Sequence, residues 1–250
     1  MAGDDVTTAG LVIVGNEILS GRTQDANLAF LAKELGEIGI RLREVRVVVD
    51  EEAAIVEAVN AVRERYTYAF TTGGIGPTHD DITSACVAKA FGVPLTRHPE
   101  AERRLLAYYP PEKVNEARMR MADTPEGAEL IDNPVSVAPG FRIGNVHVLP
   151  GVPSIMRAMF EGLRGTLKGG APVLSRTVTA YMPEGEVAGP LAAIQARHPD
   201  VEIGSYPFMR QGRLGASLVF RSPDKGRIDA AAAELLAFAE ERGVEVEELY

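Results

Sequence analysis

The residues best suited to chemistry stand in one short run, TTGGIGPTHDDIT, residues 71–83. The run joins an apolar stretch that predicts a strand to an amphipathic stretch that predicts a helix. Such a turn lies at the carboxyl edge of a parallel sheet, where open α/β folds bind ligands. Its glycines let a ligand approach backbone N–H groups, and the positive helix N-terminus suits phosphate, although glycines after a strand are also often only a tight turn. The predicted ligand contacts are Gly73, Gly74, Gly76, Pro77, Thr78 and Thr83.

Two adjacent carboxylates, Asp80 and Asp81, end this glycine loop, residues 73–82. One of them is expected to hold a divalent cation (Mg²⁺, Mn²⁺ or Co²⁺) against a pyrophosphate, because Mg²⁺ binds through one or two carboxylates plus substrate oxygens. The alternative is that they cap the free N–H groups of the next helix. The four histidines and single cysteine show no zinc-ligand spacing. Asp81 and Asp80 are therefore the candidate catalytic residues, with Asp81 as the candidate metal ligand.

Two further loops follow apolar strands and are expected to wall the same pocket. One is residues 15–24 after the first strand, and the other is the turn PGVPS, residues 150–154, before a helix over 155–167. Turn and cap chemistry is the alternative reading of their polar residues. Ser154, for example, can cap the helix that follows it. The ligand contacts predicted in this part of the pocket are Asn16, Glu17, Asn27, Gly151, Pro153 and Ser154.

The elements that must position these loops alternate between strand and helix. Strands are predicted over 10–14, 40–49 and 66–72, and each is followed by a segment with apolar residues at three- and four-residue steps. This alternation implies a parallel sheet with helices on both faces. Strands over 141–143 and 146–149 flank Gly144-Asn145, a hairpin turn. Residues 99–121, which precede this hairpin, are polar, poor in core residues and interrupted by prolines, so residues 115–121 are predicted to form a lid or a subunit contact.

A second domain is predicted after the sequence LKGGAP, residues 167–172. The pattern beyond it reads as a small β-α-β-β-α unit. The sequence thus predicts two domains, residues 1–168 and 173–250, joined near Gly169.

Composition narrows the function classes. The chain has 250 residues, of which 46% are hydrophobic and 24% charged, as in a globular protein. Its net charge of −9 argues against nonspecific nucleic-acid binding, which needs a positive face. No apolar run approaches the roughly 20 residues that span a bilayer, and no signal peptide is evident. The single cysteine, Cys86, fits a reducing cytoplasm.

Four phrases together resemble the molybdopterin-binding, or MoCF, domain of the CinA (competence/damage-inducible) family. The phrases are GNEILSGRTQDAN, TTGGIGPTHDDIT, NPVSVAPGF and LPGVPS, which lie in this order within about residues 8–165. They also resemble the front domain of eukaryotic FAD synthases and, more distantly, MogA, MoaB and gephyrin domains. The tail phrases SYPF and LVFRS are similar to the small domain that follows in CinA-like proteins.

This resemblance implies a three-layer α/β/α fold with one antiparallel strand and a pterin- or nucleotide-phosphate pocket at the glycine loop. It places the family's aspartate on Asp81 and its threonine on Thr83, and it makes Asp80 the extra acid of the CinA-like branch. Homo-oligomers are also implied. Three functions remain open: a metal-dependent pyrophosphatase of dinucleotides such as ADP-ribose or FAD, a protein of molybdopterin adenylylation, or a module that binds a pterin or nucleotide without turnover.

Overall fold

The computed structural model describes residues 6–210 and 212–249, which fall into two compact units. The first unit ends at Gly170 and the second begins at Ala171. Each unit has hydrophobic clusters of its own, which are described separately below.

The first unit contains eight described strands and seven α-helices. Its strands are β1 (Thr8–Val14), β2 (Arg41–Val48), β3 (Tyr68–Thr72), β4 (Leu95–Arg97), β5 (Asp123–Pro125), β6 (Glu129–Ile131), β7 (Gly140–Ile143) and β8 (Val146–Leu149). Its helices are α1 (Asn16–Leu19), α2 (Asn27–Glu37), α3 (Glu52–Arg65), α4 (Thr83–Phe91), α5 (Pro99–Tyr108), α6 (Glu116–Met119) and α7 (Pro153–Arg164). Two 3₁₀ turns, Pro111–Lys113 and Arg120–Ala122, lie beside α6.

The main sheet has the order β2–β1–β3–β8–β7–β6. Strands β2, β1, β3 and β8 are parallel, whereas β7 pairs antiparallel with both of its neighbours. Among the described strands of this sheet, β7 is therefore the one that runs against the rest. The predicted mostly parallel sheet with one antiparallel strand is confirmed. The hairpin turn between β7 and β8 is also present, with Gly144 at a φ of +55°.

Helices cover both faces of this sheet, which makes the predicted three α/β/α layers. Leu31 of α2 and Phe160 of α7 pack on one face. Val59 of α3 and Val87 of α4 pack on the other. The β1 side chains divide between these two clusters and are buried on both faces, which is why the strand reads as a continuous apolar run rather than an alternating one.

Three features of the first unit differ from the sequence prediction. The loop after β1 contains the short helix α1. Residues 99–121, predicted to be poor in core, contribute Leu105 and Met119 to a small cluster with Ala122. Strands β4 and β5 form a separate two-stranded ribbon, and β6 adds an edge to the main sheet. Such three-residue strands exist through pairing with distant partners and leave no periodic signal.

The second unit is a four-stranded antiparallel sheet of order β10–β11–β9–β12 with two helices. Its elements are β9 (Leu174–Ala180), α8 (Glu184–Arg197), β10 (Glu202–Arg210), β11 (Arg213–Ser222), α9 (Lys225–Glu241) and β12 (Val246–Leu249). Leu218 and Phe220 of β11 pack with Leu235 of α9 in its core. The predicted small α+β domain is confirmed, but the β-α-β-β-α pattern lacked the final strand, β12. In the described ranges, none of the helices has the length and apolar character needed to span a membrane.

Candidate functional site

The candidate site lies where three parallel strands end side by side. The loops after β1, β3 and β8 leave the same carboxyl edge, because β3 pairs in parallel with both β1 and β8. The helices that follow diverge, since α2 and α7 lie on one face of the sheet and α4 lies on the other. A point where successive connections change face opens a crevice at the carboxyl edge, the usual ligand position in open α/β sheets. The loops at Asn16, Gly74 and Gly151 thus surround one edge crevice.

The β3 and β8 loops touch through glycine backbones. Gly73 has a φ of +99°, and a Cβ on it would lie 2.2 Å from the carbonyl oxygen of Val14 at the end of β1. Gly73 N–H donates to the carbonyl oxygen of Leu149 over 3.1 Å. A Cβ on Gly151 would lie 3.3 Å from Gly73 Cα. Only glycine allows three strand ends to meet this closely with backbone facing the crevice.

Thr83 holds the glycine loop against the start of α4. Its hydroxyl donates to the Gly73 carbonyl oxygen over 2.9 Å, and its N–H donates to the Gly74 carbonyl oxygen over 2.9 Å. The Thr83 side chain is fully buried. Thr83 was predicted as a ligand contact, but its side chain holds the glycine loop in place and is not exposed to a ligand. The N–H groups of Ser84 and Ala85 have no hydrogen-bond partner among the described residues, as expected for an uncapped first helical turn.

Asp81 closes the glycine loop rather than capping α4. Its Oδ2 accepts hydrogen bonds from the Thr78 N–H, over 2.8 Å, and from the Thr78 hydroxyl. A Cβ on Gly76 would lie 2.6 Å from the same oxygen, which explains the glycine there. The N-cap of α4 is Ile82, without a side-chain hydrogen bond. The helix-cap alternative is therefore wrong for Asp81, and Asp80 is exposed at the loop surface.

A cavity of about 180 Å³ lies beside this loop. Gly76, Thr78, Asp81, Ser84, Arg120 and Asp123 lie around it. Arg120 Nη2 donates to the Pro77 carbonyl oxygen over 3.2 Å, so the segment after α6 contacts the glycine loop. Pro77, a predicted ligand contact, is exposed and ties the loop to this segment.

The carboxylates at this cavity could hold a divalent cation only if a bound phosphate or water supplied further oxygen ligands. Asp81 Oδ1 accepts no hydrogen bond from the described residues and is free to coordinate. Asp123, the other carboxylate at the cavity, is occupied by Arg97 Nε at 2.6 Å. Within residues 6–210 and 212–249, no three His, Cys, Asp or Glu side chains converge. A hard cation held by Asp81 would therefore need phosphate or water oxygens for the rest of its shell.

The β1 loop contributes differently from its prediction. Asn16 is exposed, and its N–H donates to Asp50 Oδ2 over 2.8 Å. Asp50 lies two residues after the last residue of β2 and was missed by sequence reasoning. The signal was an acid placed at the end of a predicted parallel strand. The exposed Glu17 bends its carboxylate back over Gly15, where a Cβ would lie 2.6 Å from Glu17 Oε1. These side chains form the β2–β1 side of the edge crevice.

Asn27 connects the β1 and β8 loops from inside. Its Nδ2 donates to the Gly151 carbonyl oxygen over 2.8 Å, and the residue is only 3% exposed. Its Oδ1 has no partner among the described residues. Asp25 Oδ1 caps α2 by accepting from the N–H groups of Asn27 and Leu28. Asn27 therefore holds the Gly151 loop, residues 150–154, against the start of α2.

The β8 loop leads into an uncapped helix. α7 begins at Pro153, a favourable first helical residue, and its N-cap is Val152, which has no side-chain cap. Ser154 lies inside the first turn, so its predicted role as the cap is wrong. Ser154 is exposed, and its N–H has no partner among the described residues. Proline at the first helical position lets α7 start directly from the crevice.

A fourth loop, NPVSVAP at residues 133–139, reaches the same edge because β7 runs antiparallel to β8. Asn133 organises it: its Nδ2 donates to Ser136 Oγ and to the Ala138 carbonyl oxygen, each over 2.8 Å. Val137 in this loop has a φ of +68°, which is rare for a β-branched residue. This loop was part of the family resemblance, but no role was predicted for any of its residues.

Two buried titratable groups lie in the core and not at the edge. Burial raises the pKa of the Cys86 thiol to about 11, so it stays protonated and is a poor nucleophile. Burial lowers the pKa of His147 to about 4, and its ring stacks on Phe70 at a centroid distance of 5.1 Å. Neither group is therefore a candidate for acid, base or nucleophilic chemistry at the edge crevice.

Each of the two units matches a known protein family. Residues 10–169 match the family described as "Probable molybdopterin binding domain", and residues 172–248 match "FAD synthase, middle domain". A protein of Pyrobaculum calidifontis is 35% identical over 92% of this chain and 94% of its own length. A CinA-like protein of Syntrophus aciditrophicus is 35% identical over 94% of this chain, which spans 58% of that relative. The solved CinA structure of Thermoplasma acidophilum, of unknown function, has a TM-score of 0.61 and 34% identity, and the match covers 64% of this chain and 98% of that one.

Proposed function

The chain belongs to the molybdopterin-binding domain family, and from that premise we propose that it is a cation-dependent pyrophosphatase of dinucleotides such as ADP-ribose or FAD. The pyrophosphate would lie in the edge crevice, across the glycine loop and the Gly151 loop.

The observation that carries this proposal is the meeting of two uncapped helix N-termini at one crevice. α4 offers the unpaired N–H groups of Ser84 and Ala85, and α7 offers that of Ser154. The two helices approach from opposite faces of the sheet, and their loops touch at Gly73 and Gly151. Each N-terminus carries roughly half a positive charge, which favours a phosphate group. Two such ends beside each other suit two linked phosphates.

In the proposed reaction, water attacks one phosphorus atom and the bridging P–O bond breaks. The products from ADP-ribose are AMP and ribose 5-phosphate, and those from FAD are AMP and FMN. The backbone N–H groups would stabilise the negative charge that develops on the phosphoryl oxygens, without reorganisation during the step. A divalent cation bound through Asp81 would supply charge neutralisation and polarise the phosphoryl oxygens. Thr78 keeps the Asp81 carboxylate in place by donating two hydrogen bonds to Oδ2.

A second candidate function is the binding of molybdopterin, with or without its adenylylation. The family match over residues 10–169 favours it. The same edge crevice would accept the single phosphate of a pterin. The two candidates therefore differ in whether a nucleotide pyrophosphate is cleaved.

The deciding experiment offers ADP-ribose and FAD to the purified chain with Mg²⁺, Mn²⁺ or Co²⁺ and measures AMP release. We expect release with at least one metal and none with a chelator. Absence of AMP with all three metals would contradict the pyrophosphatase. Binding of either dinucleotide without turnover would identify a binding module. In a parallel incubation with ATP and molybdopterin, transfer of AMP to molybdopterin would identify the adenylylation reaction.

A further inference from the structure

Arg120 stands apart from the other arginines near the site. It begins the 3₁₀ turn after α6 and reaches back to the glycine loop, where Nη2 donates to the Pro77 carbonyl oxygen over 3.2 Å. A guanidinium has five N–H donors. The other donors of Arg120 have no partner among the described residues.

Two arginines on the elements before Arg120 are neutralised by carboxylates, whereas Arg118 contacts the Lys113 carbonyl oxygen and the Tyr109 ring. Arg97 lies 2.6 Å from Asp123, and Arg104 lies 2.7 Å from Glu100. Arg120 has no carboxylate within 4.0 Å in the described structure, although the chain carries a net charge of −9. An unpaired cation in an acidic protein, at the rim of a cavity, is available for an anion from outside.

The surroundings of the cavity define where that anion would lie. Arg120 lines the 180 Å³ space, and so do Ser84 and Ala85 of the first turn of α4, whose N–H groups are unpaired among the described residues. Asp81 lines the same space, and its Oδ1 accepts no hydrogen bond from the described residues. Opposite charges on one cavity are the arrangement that a complex of a cation and a diphosphate requires.

We propose that Arg120 binds the outer phosphate of a diphosphate ligand whose inner phosphate lies on the glycine loop, and so selects diphosphates over monophosphates. This assignment rests on the proposed function for the position of the inner phosphate. The planar guanidinium suits a bidentate contact with two phosphate oxygens, which a lysine ammonium does not reproduce. Arg120 would remain attached to Pro77 through Nη2 while its other nitrogens bind the ligand.

The test is calorimetric titration with α,β-methylene ADP, a diphosphate that phosphatase chemistry cannot cleave between its phosphates, and with AMP, both in Mg²⁺. The variants are Arg120→Gln and Arg120→Lys. The matched control is Arg118→Gln, which removes one positive charge from the same segment, where Arg118 donates to the Lys113 carbonyl oxygen and lies 4.8 Å over the Tyr109 ring.

We expect Arg120→Gln to weaken binding of α,β-methylene ADP by about tenfold, or 1.4 kcal/mol, with less than a twofold change for AMP. Arg120→Lys should fall between wild type and Gln, and Arg118→Gln should match wild type for both ligands. Thermal melts should coincide, because Arg120 is exposed.

Equal affinity of wild type and Arg120→Gln for the diphosphate would overturn this inference and leave the proposed function standing. An equal loss for both ligands would overturn the assignment to the outer phosphate. A wild type that binds neither ligand would overturn the proposed function together with this inference.

Discussion

Replacing Asp81 with asparagine separates the charge of this side chain from its role in the loop. Asp81 Oδ2 accepts two hydrogen bonds from Thr78, and an asparagine oxygen can accept the same two. A hydrogen bond to a charged group contributes about 1.5–3 kcal/mol and a neutral one about 0.5–1.5 kcal/mol. Because Asp81 is partly exposed, solvent screens part of that difference, and we expect a loss of stability of about 1 kcal/mol. For a unit of about 170 residues, this lowers the Tm by about 2–4 °C.

The expected effect on turnover is much larger. Asparagine offers no charge to hold a divalent cation, and a cation contributes several kcal/mol to the charge stabilisation of a phosphoryl transition state. Each 1.36 kcal/mol changes a rate tenfold, so Asp81→Asn should lose at least about two orders of magnitude in metal-dependent AMP release. The assay is initial rate against metal concentration with ADP-ribose, beside a melt of each variant.

Asp80→Asn is the control, because Asp80 is exposed in the same loop. The Thr78 hydroxyl interacts with Asp80 and holds the pKa of that carboxyl below its usual range, but the Thr78 N–H that closes the loop donates to Asp81. Its rate should stay within a few-fold of wild type. Full activity of Asp81→Asn, with the expected small change in Tm, would refute the cation-binding assignment. A drop in Tm well beyond about 4 °C would instead assign the loss of activity to collapse of the loop.

Three further changes test the framework. Burial lowers the pKa of His147 to about 4, so the unfolded chain binds a proton at this histidine before the folded chain does. The free energy of unfolding should therefore be unaffected by this group above pH 6.5 and should fall by about 3 kcal/mol as the pH drops to 4. His147→Leu should flatten that part of the curve of unfolding free energy against pH, and an unchanged slope would contradict this prediction. Gly74→Ala should lower the free energy of unfolding, measured in urea, clearly more than Gly21→Ala. The two glycines have similar φ angles of +69° and +71°, but a Cβ on Gly74 would lie 2.1 Å from the Thr83 hydroxyl oxygen, whereas a Cβ on Gly21 would meet no atom within 4 Å. Equal losses would show that the clash at Gly74 relaxes freely. Asn27→Ala leaves the Gly151 carbonyl without its buried donor and should cost about 1–3 kcal/mol by thermal melt, and a smaller loss would mean that water replaces the amide.

The sequence alone was enough to predict the frame of the site. Alternation of apolar strands and amphipathic helices predicted the parallel core of the sheet, because both periodicities are local properties of the chain. The hairpin at Gly144 followed from turn chemistry for the same reason. The positions of Gly73 and Gly151 at strand ends also predicted which loops would share an edge, because parallel strands place their carboxyl ends together.

The roles of individual side chains were decided by tertiary structure. From the sequence, Asp81 could be either a helix cap or a cation ligand. In the structure it does not cap α4, because its Oδ2 accepts hydrogen bonds from Thr78 while its Oδ1 accepts none. Arg120 lies 43 residues from Pro77 and reaches it only because the excursion after α4 folds back, so no local pattern marked it. The edge strand β6 and the final strand β12 are likewise defined by distant partners. Periodicity records which face of an element is buried, whereas a hydrogen bond between remote segments depends on where the whole chain has brought them.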